Sequence, residues 1–199
     1  MIRACIFDLD GTLIRLPVKY DVIRSELKSL FRTDDDFFRL IPSIVNHAGD
    51  SNELAVRSFE IICEEELRAI DGLEVIDGTV DLLNHLKSQG IKLSLVTLQC
   101  RRAAERIMDM IGIRKLFSNV LTRDESHDRF DQITKTLKSL GLSPEEVVVI
   151  GDRLNDVESA GKARCRSILV GRSTPNPAGN TSHTVKNLSD LRQIDITEF

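Results

Sequence analysis

Two carboxylates stand close together near the start of the chain, where its first apolar run ends. Asp8 and Asp10 lie two residues apart in the segment IFDLDGTL at residues 6–13. Side chains alternate along a strand with a period of two, so both carboxylates can point into one pocket. Two carboxylates brought together repel each other, and such a pair is held by a cation or by a shared proton. One can act as a nucleophile while the other transfers protons, so the pair predicts a metal-dependent enzyme.

Two further apolar runs end in polar side chains that suit the same chemistry. Thr97 ends the run LSLVT at residues 93–97, and Asp152 follows the run at 147–151, with Asp156 four residues later. A single aspartate at a strand end is often only a helix N-cap. In a parallel sheet, however, active sites gather at the carboxyl ends of the strands. Three strand ends with suitable groups therefore favour one shared active site.

The composition limits the classes of partner. The 199 residues suit one domain, or a core with a modest insertion, and the 41% hydrophobic and 29% charged residues are typical of a soluble globular protein. The net charge of -4 argues against nucleic acid as the main partner. No apolar stretch approaches the roughly 18 residues of a membrane span, and the N-terminus shows no signal-peptide pattern. We therefore expect a cytoplasmic protein that binds neither nucleic acid nor membranes.

Hydrophobic periodicity predicts an interrupted α/β core. A strand at residues 2–7 is followed by helical periodicity without a convincing strand. From Thr79 onward helices alternate with strands, which are predicted at 91–97, 120–122, 147–151, 167–170 and 183–185. A loop is predicted at 174–179. Such alternation implies right-handed crossovers and an open parallel sheet with helices on both faces. The predicted fold is a Rossmann-like core of residues 1–15 and 78–199, with an all-helical cap at residues 16–77.

Two local signals divide the helical insertion. Pro42 is predicted to kink or split a helix at residues 37–47. Asp50, with Glu53 three residues later, resembles a capping box that opens the next helix.

The motifs resemble those of a known family. The segment at residues 8–13, Thr97 and the segment GDRLND at residues 151–156 are similar to the first, second and fourth motifs of the haloacid dehalogenase (HAD) superfamily. Their order, their intervals and the helical insertion after the first motif all match. The resemblance covers essentially the whole chain and is greatest to small phosphoglycolate phosphatase-like members with an all-helical cap.

The resemblance implies a role for each aspartate. Asp8 would attack phosphorus and become an aspartyl-phosphate, while Asp10 would protonate the leaving alcohol and then activate water. Mg2+ would be held by the Asp8 carboxylate, the Asp10 backbone carbonyl and Asp152. Asp156 would bind it directly or through water. These are the oxygen ligands that Mg2+ prefers.

The resemblance also implies a phosphate-binding site. Thr97 would donate its hydroxyl to a phosphate oxygen, and the Gly11 turn would let the backbone, including Thr12, approach the phosphate. The family often has asparagine after the threonine of the second motif. Leu98 stands there in this chain, so it would contribute its backbone but no side-chain contact.

The residues around the nucleophile narrow the reaction class within the family. Dehalogenases have no acid/base aspartate at the position of Asp10, and phosphonate-cleaving members have alanine there. Transport ATPases have lysine at the position of Leu9. The reactions that remain are hydrolysis of a phosphate ester and phosphoryl transfer between sugar hydroxyls.

The third motif departs from the family pattern. It is usually a lysine in a Lys-Pro pair, and no Lys-Pro pair occurs in this chain. Counting back from the end of the following helix reaches His127. Arg129 would supply the positive charge after a small shift of the loop, and Lys135 would supply it from another helix turn. We favour Arg129 as the catalytic cation.

The leading prediction is a Mg2+-dependent phosphatase for a small phosphorylated metabolite. Two alternatives stay open: a phosphosugar mutase, and a weakly active HAD-like binding or regulatory protein. The altered third motif keeps the second alternative open. Lys19, Arg24 and His47 in the cap could contact substrate.

Overall fold

The computed structural model describes residues 1–171 and 183–198. The strands in this part of the chain are Ala4–Phe7 (β1), Ile14–Arg15 (β2), Glu74–Val75 (β3), Lys92–Val96 (β4), Phe117–Leu121 (β5), Val147–Gly151 (β6), Arg166–Val170 (β7) and His183–Val185 (β8). Its α-helices are Tyr20–Phe31 (α1), Leu40–Ala48 (α2), Asn52–Ala69 (α3), Thr79–Ser88 (α4), Arg101–Met110 (α5), Arg129–Leu140 (α6), Leu154–Lys162 (α7) and Leu188–Arg192 (α8). None of these described helices is long and apolar enough to cross a membrane. The loop predicted at 174–179 lies outside the described residues.

Six strands form one parallel sheet in the order β5-β4-β1-β6-β7-β8. The first strand of the chain therefore lies in the interior of the sheet, with β4 on one side and β6 on the other. Parallel sheets are buried on both faces, which explains why β1 and β6 are continuous apolar runs. The predicted Rossmann-like α/β fold is confirmed.

Helices cover the sheet and complete its core. Ile6 of β1 packs in one cluster with Ile133 of α6 and Ala160 of α7. Cys5 and Phe7 point to the opposite face, because successive side chains of a strand alternate. Both are fully buried. The sheet is therefore covered on its two faces, as its apolar strands require.

Residues Leu16–Leu73 form a second compact unit that contains α1, α2 and α3. All of its residues are described, and none of them lies in a strand. Its core consists of apolar side chains from these helices and from the loop between the first two: Ile23, Leu27, Phe37, Ile44 and Ile62.

Two local predictions for this unit were wrong. Pro42 is the third residue of α2, where a missing N–H breaks no intrahelical hydrogen bond, so the helix continues through it instead of being split. The N-cap of α3 is Ser51, whose Oγ accepts a hydrogen bond from the Leu54 N–H over 3.3 Å. The predicted Asp50–Glu53 capping box does not start the helix.

The helical unit ends before residues 74–77, which the predicted cap of residues 16–77 included. Strand β3 pairs antiparallel with β2. The compact unit that contains the sheet accordingly consists of Met1–Arg15 and Glu74–Phe199. Strands of two residues are too short to show a hydrophobic period, so backbone pairing, not the sequence pattern, places this boundary.

Candidate active site

The central strands bring Asp8, Thr97 and Asp152 to one edge of the sheet. Asp8 directly follows β1, and its N–H donates to the Ile150 carbonyl of β6 over 2.9 Å. Phe7 of β1 lies level with Ile150. The strands are parallel, so the loops that follow them begin on the same side of the sheet. Thr97 follows β4 and Asp152 follows β6 at this edge.

Three carboxylates lie together here. Oxygen atoms of Asp8, Asp152 and Asp156 lie within 4.8 Å of one another. Asp8 and Asp156 are buried and Asp152 is half-buried. Asp156 lies in the first turn of α7, and its Oδ2 accepts a hydrogen bond from the Arg153 N–H over 3.2 Å. The helix start thus holds the third carboxylate beside the two that follow strands.

Burial and the charge of Asp8 raise the pKa values of the other two carboxylates. Burial, and then the charge of Asp8, raises the pKa of Asp156 to about 7, although the Arg129 guanidinium opposes the shift. The same two causes raise the pKa of Asp152. A group of oxygen ligands that repel one another in this way fits a hard divalent cation such as Mg2+. The donor set of the site is therefore compatible with the predicted cofactor.

Two glycines leave room for the acidic group. A Cβ on Gly11 would collide with the Asp152 carboxylate, and a Cβ on Gly151 would collide with that of Asp156. Gly11 also has a φ of +88°, which L side chains rarely adopt. The Thr12 hydroxyl lies 3.5 Å from Oδ1 of Asp152. The turn after β1 therefore packs directly against the carboxylates.

Asp10 lies in this turn and is half-buried. It forms an isolated backbone bridge with Ile14. Its carboxylate is not among the three that lie together. The roles implied for Asp10, proton transfer and a carbonyl ligand for Mg2+, stay predictions.

Arg129 brings a buried positive charge to the carboxylates. It is the first residue of α6, with Nη2 2.5 Å from Oδ1 of Asp8 and Nε 3.1 Å from Oδ1 of Asp156. Its Nη1 donates to the Val96 carbonyl at the end of β4 over 2.6 Å. Burial acts to lower the pKa of Arg129, but the charges of Asp8 and Asp156 outweigh it and raise the pKa. The guanidinium therefore stays charged beside the predicted nucleophile.

Lys135 and His127, the other two candidates for the catalytic cation, have different surroundings. Lys135 forms an ion pair with Asp131, with 2.6 Å between Nζ and Oδ2, and both side chains are exposed. His127 is exposed in the loop before α6. Of the three candidates, Arg129 is the one that the structure places against Asp8.

The loop after β4 carries the predicted phosphate contacts. Thr97 is buried, and its Oγ1 accepts a hydrogen bond from the Gln99 N–H over 3.2 Å. A threonine hydroxyl that accepts one bond can still donate its own hydrogen. The Leu98 carbonyl accepts a hydrogen bond from Nη1 of Arg123 over 2.6 Å. The loop is thus held by Arg123, which follows β5, while the Thr97 hydroxyl can serve as a donor.

Gln132 was not predicted as a site residue. It is fully buried, and its Nε2 donates to the Thr97 carbonyl over 2.8 Å. Its Oε1 accepts a hydrogen bond from Nη1 of Arg129 over 3.4 Å. A polar side chain on the apolar face of α6, next to Ile133, is the signal that could have identified it.

The three cap residues predicted to contact substrate lie within the helical unit. His47 pairs with Asp35, with 2.9 Å between Nε2 and Oδ2. The Arg24 guanidinium lies 5.9 Å from the ring centroid of Tyr20. Lys19 is exposed. Their contact with substrate stays a prediction.

Comparison with known proteins decides the family. Residues 2–164 match the model of the haloacid dehalogenase-like hydrolases. The chain belongs to this family. The predictions that it is a HAD protein and an enzyme are confirmed.

The relatives of this HAD hydrolase include named phosphatases. It is 32% identical over 182 residues to a Clostridium perfringens protein provisionally named pyrophosphatase PpaX, covering 83% of each chain. It is 25% identical to phosphoglycolate phosphatase 1 of Pseudomonas aeruginosa, covering 95% of this chain and 78% of that protein. A solved structure described as a predicted phosphatase from Clostridium acetobutylicum has a TM-score of 0.75 at 21% identity, covering 100% of both chains.

Proposed function

We propose that this HAD hydrolase is a Mg2+-dependent phosphatase that hydrolyses a small phosphomonoester through an aspartyl-phosphate on Asp8. One observation carries the proposal: the buried Asp8 carboxylate contacts a buried cation, Arg129, and lies beside two further carboxylates, Asp152 and Asp156. The names of the relatives, pyrophosphatase and phosphoglycolate phosphatase, support a phosphorylated substrate.

The site must overcome the repulsion between an anionic nucleophile and an anionic substrate. The guanidinium of Arg129 contributes a positive charge next to Asp8 that does not depend on a cofactor. Asp8, Asp152 and the Asp10 carbonyl, with Asp156, would hold Mg2+. Bound there, it would screen the nucleophile and polarise a phosphate oxygen.

In the first step, an Asp8 carboxylate oxygen attacks phosphorus and the bond from phosphorus to the ester oxygen breaks. Asp10, in its acid form, gives its proton to the leaving oxygen, so the alcohol departs neutral. Arg129 stabilises the charge on the transferred phosphoryl group, because a preorganised cation in a buried site loses little energy to reorganisation.

In the second step, the Asp10 carboxylate takes a proton from water, and the resulting hydroxide oxygen bonds to phosphorus. The bond between Asp8 and phosphorus breaks and inorganic phosphate leaves. Asp8 returns to its carboxylate form and Asp10 to its acid form, which completes the cycle.

The strand-end loops would hold the phosphate oxygens. Thr97 would donate its hydroxyl, and Leu98 would contribute its backbone in place of the asparagine side chain that the family often has. Gly11 and Thr12 would let the turn after β1 approach the phosphate, since Gly11 has no Cβ to fill that space. The helical unit Leu16–Leu73 would act as the cap that closes during turnover and selects the substrate.

Phosphate release across a panel of phosphomonoesters, with and without Mg2+, tests the proposal. We expect Mg2+-dependent release from the native protein, reduced by about a thousandfold or more in Asp8→Asn. Asp131→Asn is a matched control, because Asp131 is an exposed aspartate on α6, and it should keep native activity. Two results would overturn the proposal. A folded native protein that binds phosphate esters without turnover indicates a binding role, and turnover that needs a bisphosphate activator indicates a mutase.

A further inference from the structure

The carboxamide of Gln132 contacts four residues around the site. Its Nε2 lies 2.8 Å from the Thr97 carbonyl oxygen, 3.1 Å from that of Thr122 and 3.0 Å from that of Ser126. Its Oε1 lies 3.4 Å from Nη1 of Arg129. These partners stand after β4, after β5, in the loop before α6 and at the first residue of α6.

The two ends of the carboxamide match different partners. The NH2 group offers two hydrogens to carbonyl oxygens, whereas Oε1 accepts a bond from the Arg129 guanidinium. A methionine at this position would have nearly the same shape but would leave the buried Thr97 carbonyl without its Nε2 donor. A glutamate would direct an acceptor at the carbonyl oxygens. Among these side chains, glutamine satisfies both kinds of partner.

Gln132 thereby connects the backbone of Thr97, whose hydroxyl is predicted to bind phosphate, with Arg129, the cation of the site. Residues three apart on a helix lie on the same face, so Gln132 and Arg129 reach the strand ends together from α6. Arg129 donates to the carbonyl of Val96, and Gln132 donates to the carbonyl of Thr97, the next residue. Adjacent carbonyls of the β4 end are therefore held by adjacent turns of one helix.

We propose that Gln132 is a positioning residue, which sets the distance between Thr97 and the Arg129–Asp8 pair. It acts through these residues and does not itself touch substrate. The inference rests on the proposed phosphatase function, in which Thr97 and Arg129 contact the same phosphoryl group. Displacement of such groups by about 1 Å lowers turnover by up to about a hundredfold.

The test compares Gln132→Met with Thr136→Val. Thr136 is also fully buried on α6, one turn further along, and its hydroxyl donates to the backbone carbonyl of Gln132 over 2.8 Å. Each variant removes one buried polar group from the same helix. We expect Gln132→Met to lower kcat by about tenfold to a hundredfold and to raise the inhibition constant of inorganic phosphate. For Thr136→Val, kcat and the inhibition constant of phosphate should both stay within about twofold of their native values.

Thermal unfolding of both variants separates positioning from simple destabilisation. If the two lose equal stability and Gln132→Met keeps native kcat and phosphate inhibition, the inference is overturned. Should Gln132→Met fail to fold, Gln132→Glu replaces it. It keeps the side-chain length but loses the two donors, so the same loss of kcat is expected.

A second readout does not depend on turnover. The 15N signal of the Arg129 Nε–H group, identified by its disappearance in Arg129→Lys, reports how the guanidinium is held. We expect it to shift or broaden in Gln132→Met and to stay in place in Thr136→Val. An unchanged signal in both variants contradicts the inference. An inactive native protein would refute the phosphatase function, while this signal would still decide the role of Gln132.

Discussion

Nη2 of Arg129 lies 2.5 Å from Oδ1 of Asp8, and both side chains are buried. The pair joins the first residue of α6 to the residue that follows the central strand β1. Removing one partner from a buried ion pair leaves the other charge uncompensated. The stability of the core and the chemistry of the site therefore depend on the same contact.

Replacement of Arg129 by methionine should destabilise the metal-free protein. Asp8 and Asp156 would stay buried without their cation, and the loss of a partner in such pairs lowers the free energy of unfolding by about 3–5 kcal/mol. Phosphatase activity should also fall in Arg129→Met. Urea unfolding in the presence of a chelator, together with phosphate release in Mg2+, measures both effects. Arg129→Lys should recover part of each, because lysine keeps the charge but cannot bridge Asp8 and Asp156 as a planar guanidinium does.

Lys135→Met is the matched control for this substitution. Lys135 pairs with Asp131 at an exposed position, so its loss should change stability by less than about 1 kcal/mol and leave activity intact. If Lys135→Met abolished activity while Arg129→Met retained it, Lys135 would be the cation of the third motif.

Gly11→Ala should weaken Mg2+ binding, and Gly90→Ala should not. Both glycines have positive φ, +88° and +80°, so alanine strains the backbone similarly at each. The backbone strain should cost each variant on the order of 1 kcal/mol, and Gly11→Ala should lose more because of its collision with Asp152. Only at Gly11 would the new Cβ meet the Asp152 carboxylate, whereas at Gly90 nothing lies within 4 Å. Titration calorimetry with Mg2+ separates the two effects, and equal Mg2+ affinity in both variants would show that the Gly11 turn does not shape the metal site.

The stability of the metal-free protein should depend on the ionisation of Asp156. Burial, and then the Asp8 charge, raises the pKa of Asp156 to about 7 in the folded state. An unfolded aspartate has a pKa of about 3.9, so the folded state holds the proton more tightly. The contribution of Asp156 to stability is therefore fully present below about pH 4 and is lost as the pH rises toward 7.

Unfolding in a chelator at several pH values between about 5 and 8 measures this contribution. Asp156→Asn should show a smaller decrease in unfolding free energy across that range than the native protein. Mg2+ affinity of the native protein should change in the opposite direction and rise with pH, because the ligands must lose their protons to bind the ion. If the free energy of unfolding depended on pH identically in the native protein and in Asp156→Asn, the raised pKa of Asp156 would be contradicted.

The positions of Asp8, Thr97 and Asp152 could be predicted because they depend on local pattern. Apolar runs show where strands end, and a parallel sheet brings those ends to one edge. The sequence could not distinguish Arg129 from His127 and Lys135 as the cation that contacts Asp8. That contact depends on where α6 begins, and the Asp128 side chain determines this by accepting the Asp131 N–H over 2.8 Å.

The sequence pattern did not identify Gln132 as a site residue, for a different reason. Its partners Thr97, Thr122 and Ser126 come from segments that meet only in the folded chain. No spacing in the sequence indicates that three carbonyl oxygens will converge on one carboxamide. The short β2–β3 pair was missed because pairing of two residues per strand leaves no periodic signal.

The most direct test of Asp8 as the nucleophile uses beryllofluoride, which forms an acyl-phosphate analogue on a nucleophilic carboxylate and requires no knowledge of the substrate. 19F NMR of the native protein with Mg2+ and beryllofluoride should show signals of a protein-bound adduct in slow exchange. The signals should be absent in Asp8→Asn and without Mg2+, and present in Asp131→Asn. Bound signals that persist in Asp8→Asn, or their absence from the folded native protein with Mg2+, would contradict an aspartyl-phosphate on Asp8.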